Sequence, residues 1–393
     1  MNKAILNTEI QGFINDNLDS NITSILLKGT AFTAVNTKEI IEQIEAKKKC
    51  ENKLSTWFQT KNIYYPNKLN IEQTSSEVTA NYKSNLIQGN SIIDITGGFG
   101  VDCFYFSKRF KKIVHCELDA YLSEIVKYNY TQLGVSNIET QMVDGIEFLK
   151  QNNKPVDWIY ADPSRRHDSK GKVFFLNDCL PNIPQQLDTI FRYTKNVMIK
   201  TSPLLDLSIG INELNYVKSI HIIAVNNEVK EILWILEKDF LNEISVNAIN
   251  ILKEGLIAFN FFLNDEKNCN SEYSLPLSYL YEPNAAILKA GAFNILTKQM
   301  EVFKLHKNSH LYTSQKLIDF PGRRFKIETV LPYNIKAIKK IGLKKANITT
   351  RNFSESVQQL RKKLDIKDGG DTYLFFTTDH AEKRMVIICS KVL

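Results

Sequence analysis

The sequence predicts an α/β protein. A doubly wound parallel sheet is preceded by a helical region and followed by a smaller, basic α/β module. Three observations carry this. Between residues 90 and 240, apolar stretches of strand length alternate with helix-period segments. The first of these strands ends in an acid and a glycine-dense turn, Asp94-Ile-Thr-Gly-Gly-Phe-Gly100. The chain's positive charge is gathered at one end: residues 301–393 carry 19 Lys/Arg against 9 Asp/Glu, net +10, and the other 300 residues carry 31 against 34, net −3.

Composition narrows the class. At 393 residues, two or three domains are expected, and 43% hydrophobic with 24% charged residues is ordinary for a globular protein. No apolar run approaches the roughly 18 residues of a membrane span, so no membrane partner is expected. The N-terminal Met1-Asn-Lys-Ala-Ile-Leu lacks the apolar core of a secretory signal. Six cysteines are scattered without a CxxC pair, which argues against a zinc ribbon or disulfide scaffold and for a reducing, cytoplasmic setting. His115, His167 and His221 have no ligand-type spacing, so no metal is expected. A basic end on a near-neutral body points to a polyanion, nucleic acid first.

The elements follow in order. Residues 1–88 form a helical N-terminal region, with helical periodicity over 8–18, 21–28 and 37–58. Asn36 with Glu39 makes a capping box for the third. A further helix is expected over 71–87, where Lys83 can reach the pocket, although a solvated lysine is the plainer reading. Residues 89–240 carry strands at 91–95, 112–116, 138–143, 156–161, 197–201, 219–225 and 232–236, and helices at 101–110, 120–133, 145–151 and 177–193. The last two strands, with no helix between them, read as an antiparallel hairpin. Residues 241–393 form the basic module. It opens with paired strands over 246–263 and a helix near Pro283. Then come strand 326–331, helix 334–341, strand 347–351, helix 354–364 and strands 372–377 and 384–390.

Four acids fall at successive strand ends. Asp94 precedes Thr96 and the turn glycines Gly97, Gly98 and Gly100, which allow positive φ and close approach of a ligand. An acid placed there suits a ligand with a cationic amino-acid end, namely S-adenosylmethionine. Glu117 can accept two ribose hydroxyls, and Asp144, followed by Gly145, an exocyclic amine such as adenine N6. The alternative for Glu117 and Asp144 is a helix N-cap. Asp162 opens the reactive candidate, Asp162-Pro163-Ser164-Arg165. Pro163 stiffens the backbone there, so that the carbonyl and the Asp162 carboxylate can face a substrate amine. Alignment of that nitrogen against a sulfonium methyl can supply much of the rate. Arg165 and Arg166 suit phosphate pairing or base stacking. Lys344, Lys345, Arg351, Arg361 and Lys362 are further RNA-contact candidates in the region of excess charge, and Lys200, after the fifth strand, is another.

Together, Asp94–Gly100, Glu117, Asp144–Gly145 and Asp162–Arg166 resemble the class I S-adenosylmethionine-dependent methyltransferases, with their Rossmann-like sheet. More narrowly, the chain resembles bacterial RNA methyltransferase-like proteins with a C-terminal THUMP-like (ferredoxin-like) domain. Glu72-Gln-Thr-Ser-Ser-Glu77, Asp162-Pro-Ser-Arg-Arg166, Lys200-Thr-Ser-Pro-Leu-Leu-Asp206, Asn227-Glu-Val-Lys-Glu231, Lys344-Lys-Ala-Asn-Ile348 and Arg351-Asn-Phe353 carry that likeness, from about residue 70 onward. It implies S-adenosylmethionine at Asp94, Gly97, Gly98, Gly100, Glu117 and Asp144, and methylation of tRNA or rRNA. The sequence departs from the amino-directed pattern of Asp/Asn-Pro-Pro-aromatic, with Ser164 and Arg165 in the last two places. It also lacks the cysteine that uridine-C5 enzymes need near Thr201. The first departure argues against base stacking at Arg165 and against adenine N6 in particular, and the second against a covalent C5 mechanism; the expected acceptor is a ring or exocyclic nitrogen of a purine in structured RNA. The rival readings are a methyltransferase of small molecules or proteins, and a non-catalytic RNA-binding protein with a degenerate pocket.

Overall fold

The computed structural model describes residues 1–152, 154–165 and 175–392. They divide into two compact units, Met1–Lys218 with Leu233–Leu241, and Ser219–Ile232 with Asn242–Leu393. Among the described residues no helix is long and apolar enough to cross a membrane.

The first unit opens with α1 (Thr8–Asp16), α2 (Ile22–Lys28), α3 (Thr37–Lys53), α4 (Ser55–Gln59), α5 (Lys68–Gln73) and α6 (Glu77–Leu86). Asn36 and Glu39 form the expected capping box of α3. The single helix expected over 71–87 is two. Ser76 turns its hydroxyl to Thr79 N and caps α6, and hydroxyl side chains at 74–76 compete with the helical backbone. Trp57 of α4 is 1% exposed and meets the Phe104 ring edge-on at 4.9 Å, which fastens these helices to the sheet layer.

The strands that follow are β1 (Gly89–Asp94), β2 (Phe110–Cys116), β3 (Ile138–Gln141), β4 (Trp158–Ala161), β5 (Asn196–Thr201), β6 (Val217–Val225), β7 (Glu228–Glu237), β8 (Ser245–Leu252) and β9 (Gly255–Phe262). Their order is β3-β2-β1-β4-β5-β7-β6-β8-β9. β1 pairs in parallel with β2 and β4, β2 with β3, and β4 with β5. Parallel strands are covered on both faces, which explains the continuous apolar runs: Val197, Met198 and Ile199 are fully buried. β6 and β7 form the expected hairpin around Asn226 and Asn227, both at positive φ, as a two-residue turn requires. β7 contributes residues to both units.

The crossover helices are α7 (Val101–Phe106), α8 (Ala120–Gln132), α9 (Gly145–Gln151), α10 (Ile183–Ile190) and α11 (Leu207–Glu213). The helix expected over 177–193 is shorter. Asn182 caps it, Pro184 sits in its first turn, and Cys179–Leu180 instead pairs as a short strand with Ser164–Arg165. α11 was not expected. It is seven residues long, with Gly210 lying against the Trp234 ring, too short for a clear periodic signal.

In the second unit, β8 runs parallel to β6 and antiparallel to β9. A separate sheet contains β10 (Tyr279–Pro283), β11 (Tyr312–Ser314), β12 (Gly322–Pro332), β13 (Asn347–Thr350), β14 (Thr372–Thr378) and β15 (Arg384–Val392), ordered β11-β10-β12-β15-β14-β13 with Phe303–Lys304 outside β11. Period-2 alternation splits its core. Leu374 and Phe376 of β14 pack with Ile338, Leu360 and Leu364 on one face, and Phe375 with Leu280, Leu305 and Phe325 on the other.

Candidate functional site: strand-end acids and the Asp-Pro-Ser-Arg step

The glycine turn joins β1 to α7 at the C-terminal edge of the parallel strands. Gly97 is required by crowding. A Cβ there would lie 2.5 Å from the Cys116 carbonyl oxygen and 2.6 Å from the His115 ring. Gly98 has φ +60, and a Cβ there would meet nothing nearer than 3.8 Å, so its face is open space. Gly100 is the left-handed residue that starts α7.

The first three acids shape this turn. Asp94 is 2% exposed, and its Oδ1 accepts from Thr96 N (2.9 Å) and Thr96 Oγ1 (3.0 Å). Burial pushes its carboxyl up to about 7, against the lowering effect of those bonds. Glu117 accepts from Gly98 N (2.8 Å) and Asp119 N (2.7 Å). It is therefore a brace for the turn, and Asp119, not Glu117, caps α8. Asp144 caps α9, its Oδ1 accepting from Ile146 N and Glu147 N. A carboxylate has about four acceptor sites, so these bonds leave Glu117 and Asp144 capacity for a ligand.

The Asp-Pro-Ser-Arg step is wired to the turn. Asp162 N donates to Thr96 Oγ1 (2.7 Å), and Thr96 Oγ1 donates to Asp94 Oδ1. One hydroxyl thus links the acids that end β1 and β4. The Asp162 side chain, about one-third exposed, receives Lys200 Nζ on Oδ2 at 2.5 Å. Lys200 is turned inward to that carboxylate. Pro163 is buried and Ser164 exposed. Arg165 continues the short strand, and Arg166 and His167 lie outside the described residues.

Lys83 is not a solvated lysine. It is fully buried, its Nζ 2.9 Å from Asp102 Oδ1 and 2.8 Å from Ser75 Oγ. Asp102 Oδ2 also accepts from Ser75 Oγ and the Tyr160 hydroxyl, each at 2.9 Å. Burial works to raise the Asp102 carboxyl, and the charges of Lys83 and Lys200 overcome it and hold it below the ordinary value. Glu77 completes the set, accepting from Tyr105 OH at 2.8 Å and Thr56 N at 2.6 Å. The Ser75-Ser76-Glu77 motif therefore clamps α7 directly behind the glycine turn. Sequence reasoning singled out that motif without a partner for it; the missing partner, Asp102, sits eight residues after Asp94. Leu118 (70% exposed) and Met142 (64% exposed) are exposed apolar side chains, the first next to Glu117 and the second two residues before Asp144.

In the basic module, Lys344, Lys345 and Lys362 are exposed. Arg351 and Arg361 are held by protein acceptors. Arg351 donates to the buried Glu282 (2.7 Å), and Arg361 to Asp368 and to the Ala346 carbonyl (3.2 Å).

Comparison with known proteins agrees with this architecture. Residues 279–321 match a ferredoxin-like domain model and residues 322–391 a THUMP domain-like model. The structure of a candidate methyltransferase from Porphyromonas gingivalis W83 superimposes with TM-score 0.89 at 29% identity, covering 100% of this chain and 99% of that one. A modification subunit of a candidate type I restriction enzyme from Vibrio vulnificus YJ016 gives TM-score 0.35 at 11% identity, over 51% of this chain and 56% of that one. An rRNA methylase from Streptococcus thermophilus gives 0.31 at 14%, over 41% and 94%. These last two likenesses are too loose to argue from. No curated protein matches the chain.

Proposed function

We propose that this chain, a class I methyltransferase fold joined to a C-terminal THUMP-like domain, transfers a methyl group from S-adenosylmethionine to a purine nitrogen of structured RNA. The observation that carries the reading is the Asp94–Thr96–Asp162 link, which couples the ligand turn to the acceptor step through one hydroxyl. The residues present fit the cofactor. Gly98 leaves open space at the turn, acids at three strand ends suit an amine and hydroxyls, and Leu118 and Met142 offer apolar faces to a base. When bound, the cofactor supplies an electrophilic sulfonium methyl.

The chain's own residues then have definite tasks. Glu117 accepts hydroxyls of the ribose, and Asp144 an exocyclic amine. Asp94 stiffens the turn and places negative charge beneath the cationic end of the ligand. Asp162 accepts an N–H of the substrate and orients the nitrogen lone pair, its carboxylate fixed by Lys200. Alignment of this kind can supply much of the acceleration. The exposed lysines of the THUMP-like domain bind phosphates. Support for RNA is the net +10 of residues 301–393 and the THUMP-like match.

The test is mass spectrometry of nucleosides from total RNA of cells with and without the gene, followed by restoration with purified protein and S-adenosylmethionine. One methylated purine should disappear and return. An unchanged nucleoside profile, with transfer to a protein or small molecule instead, would refute the RNA reading and leave the cofactor reading standing.

A further inference from the structure

Glu282, on β10, is 4% exposed and lies directly opposite Arg323 on β12. Its Oε2 accepts from Arg323 Nε at 2.6 Å, and Arg323 Nη2 also contacts that oxygen. Its Oε1 accepts from Arg351 Nε (3.1 Å) and Nη2 (2.7 Å). Two guanidinium forks thus share one buried carboxylate. One arginine suffices to neutralise a buried acid; the second leaves a net charge of +1, held rigidly. Neither Nη1 group has a protein acceptor among the described residues, and the side chains are 40% and 34% exposed. The four N–H donors of the two Nη1 groups therefore remain unspent on a preset frame, with one further N–H on each Nη2. The surplus charge is felt nearby: burial, then the charges of Lys304 and Arg351, push the His310 imidazole down to about 4.

We propose that Arg323 and Arg351, set by Glu282, form a binding site for a phosphate group. The guanidinium fork matches the geometry of a phosphate oxyanion, and two forks whose Nε edges are occupied by one carboxylate each keep the Nη1 end for a ligand. Glu282 lies in the segment matching the ferredoxin-like model, and both arginines lie in the segment matching the THUMP-like model, so the site joins the two matched segments. The phosphate can come from an RNA backbone or from a free phosphate compound. The regional charge favours RNA. In that case the site deepens the proposed function by naming where the basic module grips the backbone, yet its test requires no methyl transfer.

Full-length protein is titrated with a labelled single-stranded RNA oligonucleotide over a range of salt, and separately with inorganic phosphate followed by thermal stability. Arg323→Gln and Arg351→Gln each retain one partner for Glu282, and Lys253→Gln removes an exposed charge elsewhere in the same unit. Each arginine variant should lose RNA affinity roughly tenfold to a hundredfold, the range of a charge-assisted bond. Its salt slope should fall by about 0.7 per lost contact. Stabilisation by phosphate should vanish in both, and Lys253→Gln should stay within about twofold of wild type. Arg323→Lys should keep part of the salt slope and lose most of the affinity, because it keeps charge without the fork. Loss of phosphate stabilisation with unchanged RNA affinity supports the site with a free phosphate compound as its source. If RNA affinity, salt slope and phosphate response are all unchanged in both Gln variants, the triad is only an internal ion pair and the proposal is overturned.

Discussion

Asp94→Asn isolates one charge whose cost the structure specifies. The substitution keeps the Oδ1 acceptor for Thr96 N and Thr96 Oγ1 and removes only the ionisable group. Burial raises the carboxyl from its ordinary 3.8 to about 7 in the folded chain. Below about 3.8 both folded and unfolded chains hold the proton, and no stability is lost. As pH rises towards 7 the unfolded chain releases it while the folded chain keeps it, so stability falls. Above 7 the loss is constant, at about 4 kcal/mol for some 3 pH units at 1.36 kcal/mol each. Between pH 5 and pH 8 the change is about 2.5 kcal/mol. The Asn variant is blind to this, so its stability relative to wild type should improve by about that much between those two pH values. Urea unfolding followed by tryptophan fluorescence reads the right unit, because Trp57, Trp158 and Trp234 all lie in the first. A difference between variant and wild type that is independent of pH would refute the reasoning. A second reading is available with the ligand. At pH 6, S-adenosylmethionine binding should release about one proton from wild type and none from the variant, measurable by calorimetry in two buffers of different ionisation enthalpy.

Three further outcomes are expected. Asp162→Ala should abolish methyl transfer and leave S-adenosylmethionine affinity within a few-fold by calorimetry, since the backbone N–H of residue 162, not its carboxylate, holds Thr96; near-normal turnover would reduce the Asp-Pro-Ser-Arg step to a turn. Lys83→Met strands Asp102 as an unpaired buried charge and should cost about 3–5 kcal/mol in urea unfolding, with much of it recovered when Asp102→Asn is added; equal loss in single and double variants would contradict the pairing. Reversing charge at Lys344, Lys345 and Lys362 should lower RNA affinity and salt slope together without altering cofactor affinity; an unaltered slope would make those lysines solvated surface only.

The sheet was legible because its central parallel strands, β1, β4 and β5, carry apolar runs, and because the first four strands each end in or are followed by an acid that breaks the run. The hairpin of β6 and β7 was legible from the absence of room for a crossover helix. Boundaries were lost where short-range chemistry competes with periodicity. Hydroxyls at Thr74–Ser76 split one helix, Pro184 shortened another, and α11 was too brief to register. The acids were legible as strand ends, but their partners were not. Nothing local announces that Lys83 reaches Asp102, or that Glu282 takes hold of Arg323 and Arg351, because each pair is assembled by the fold from distant parts of the chain. Exposed and engaged basic residues look alike in a sequence. The structure separates Lys344, Lys345 and Lys362, which face solvent, from Arg351 and Arg361, which spend part of their donors on protein acceptors.

The clamp of Ser75, Glu77 and Lys83 on α7 bears on how this enzyme-like sheet can be cut, copied or inherited. Removing the leading helices would strip Asp102 of Lys83 and Ser75 and the Tyr105 hydroxyl of Glu77. It would also strip Trp57 from Phe104, and a buried aromatic of that size is worth about 1.5–3 kcal/mol or more. The glycine turn would lose the backing that keeps it in shape. The front of the chain is therefore no detachable attachment. It is expected to melt with the sheet in one cooperative event, and a lineage that shed it would have to replace a cation, a hydroxyl and an indole at the same time.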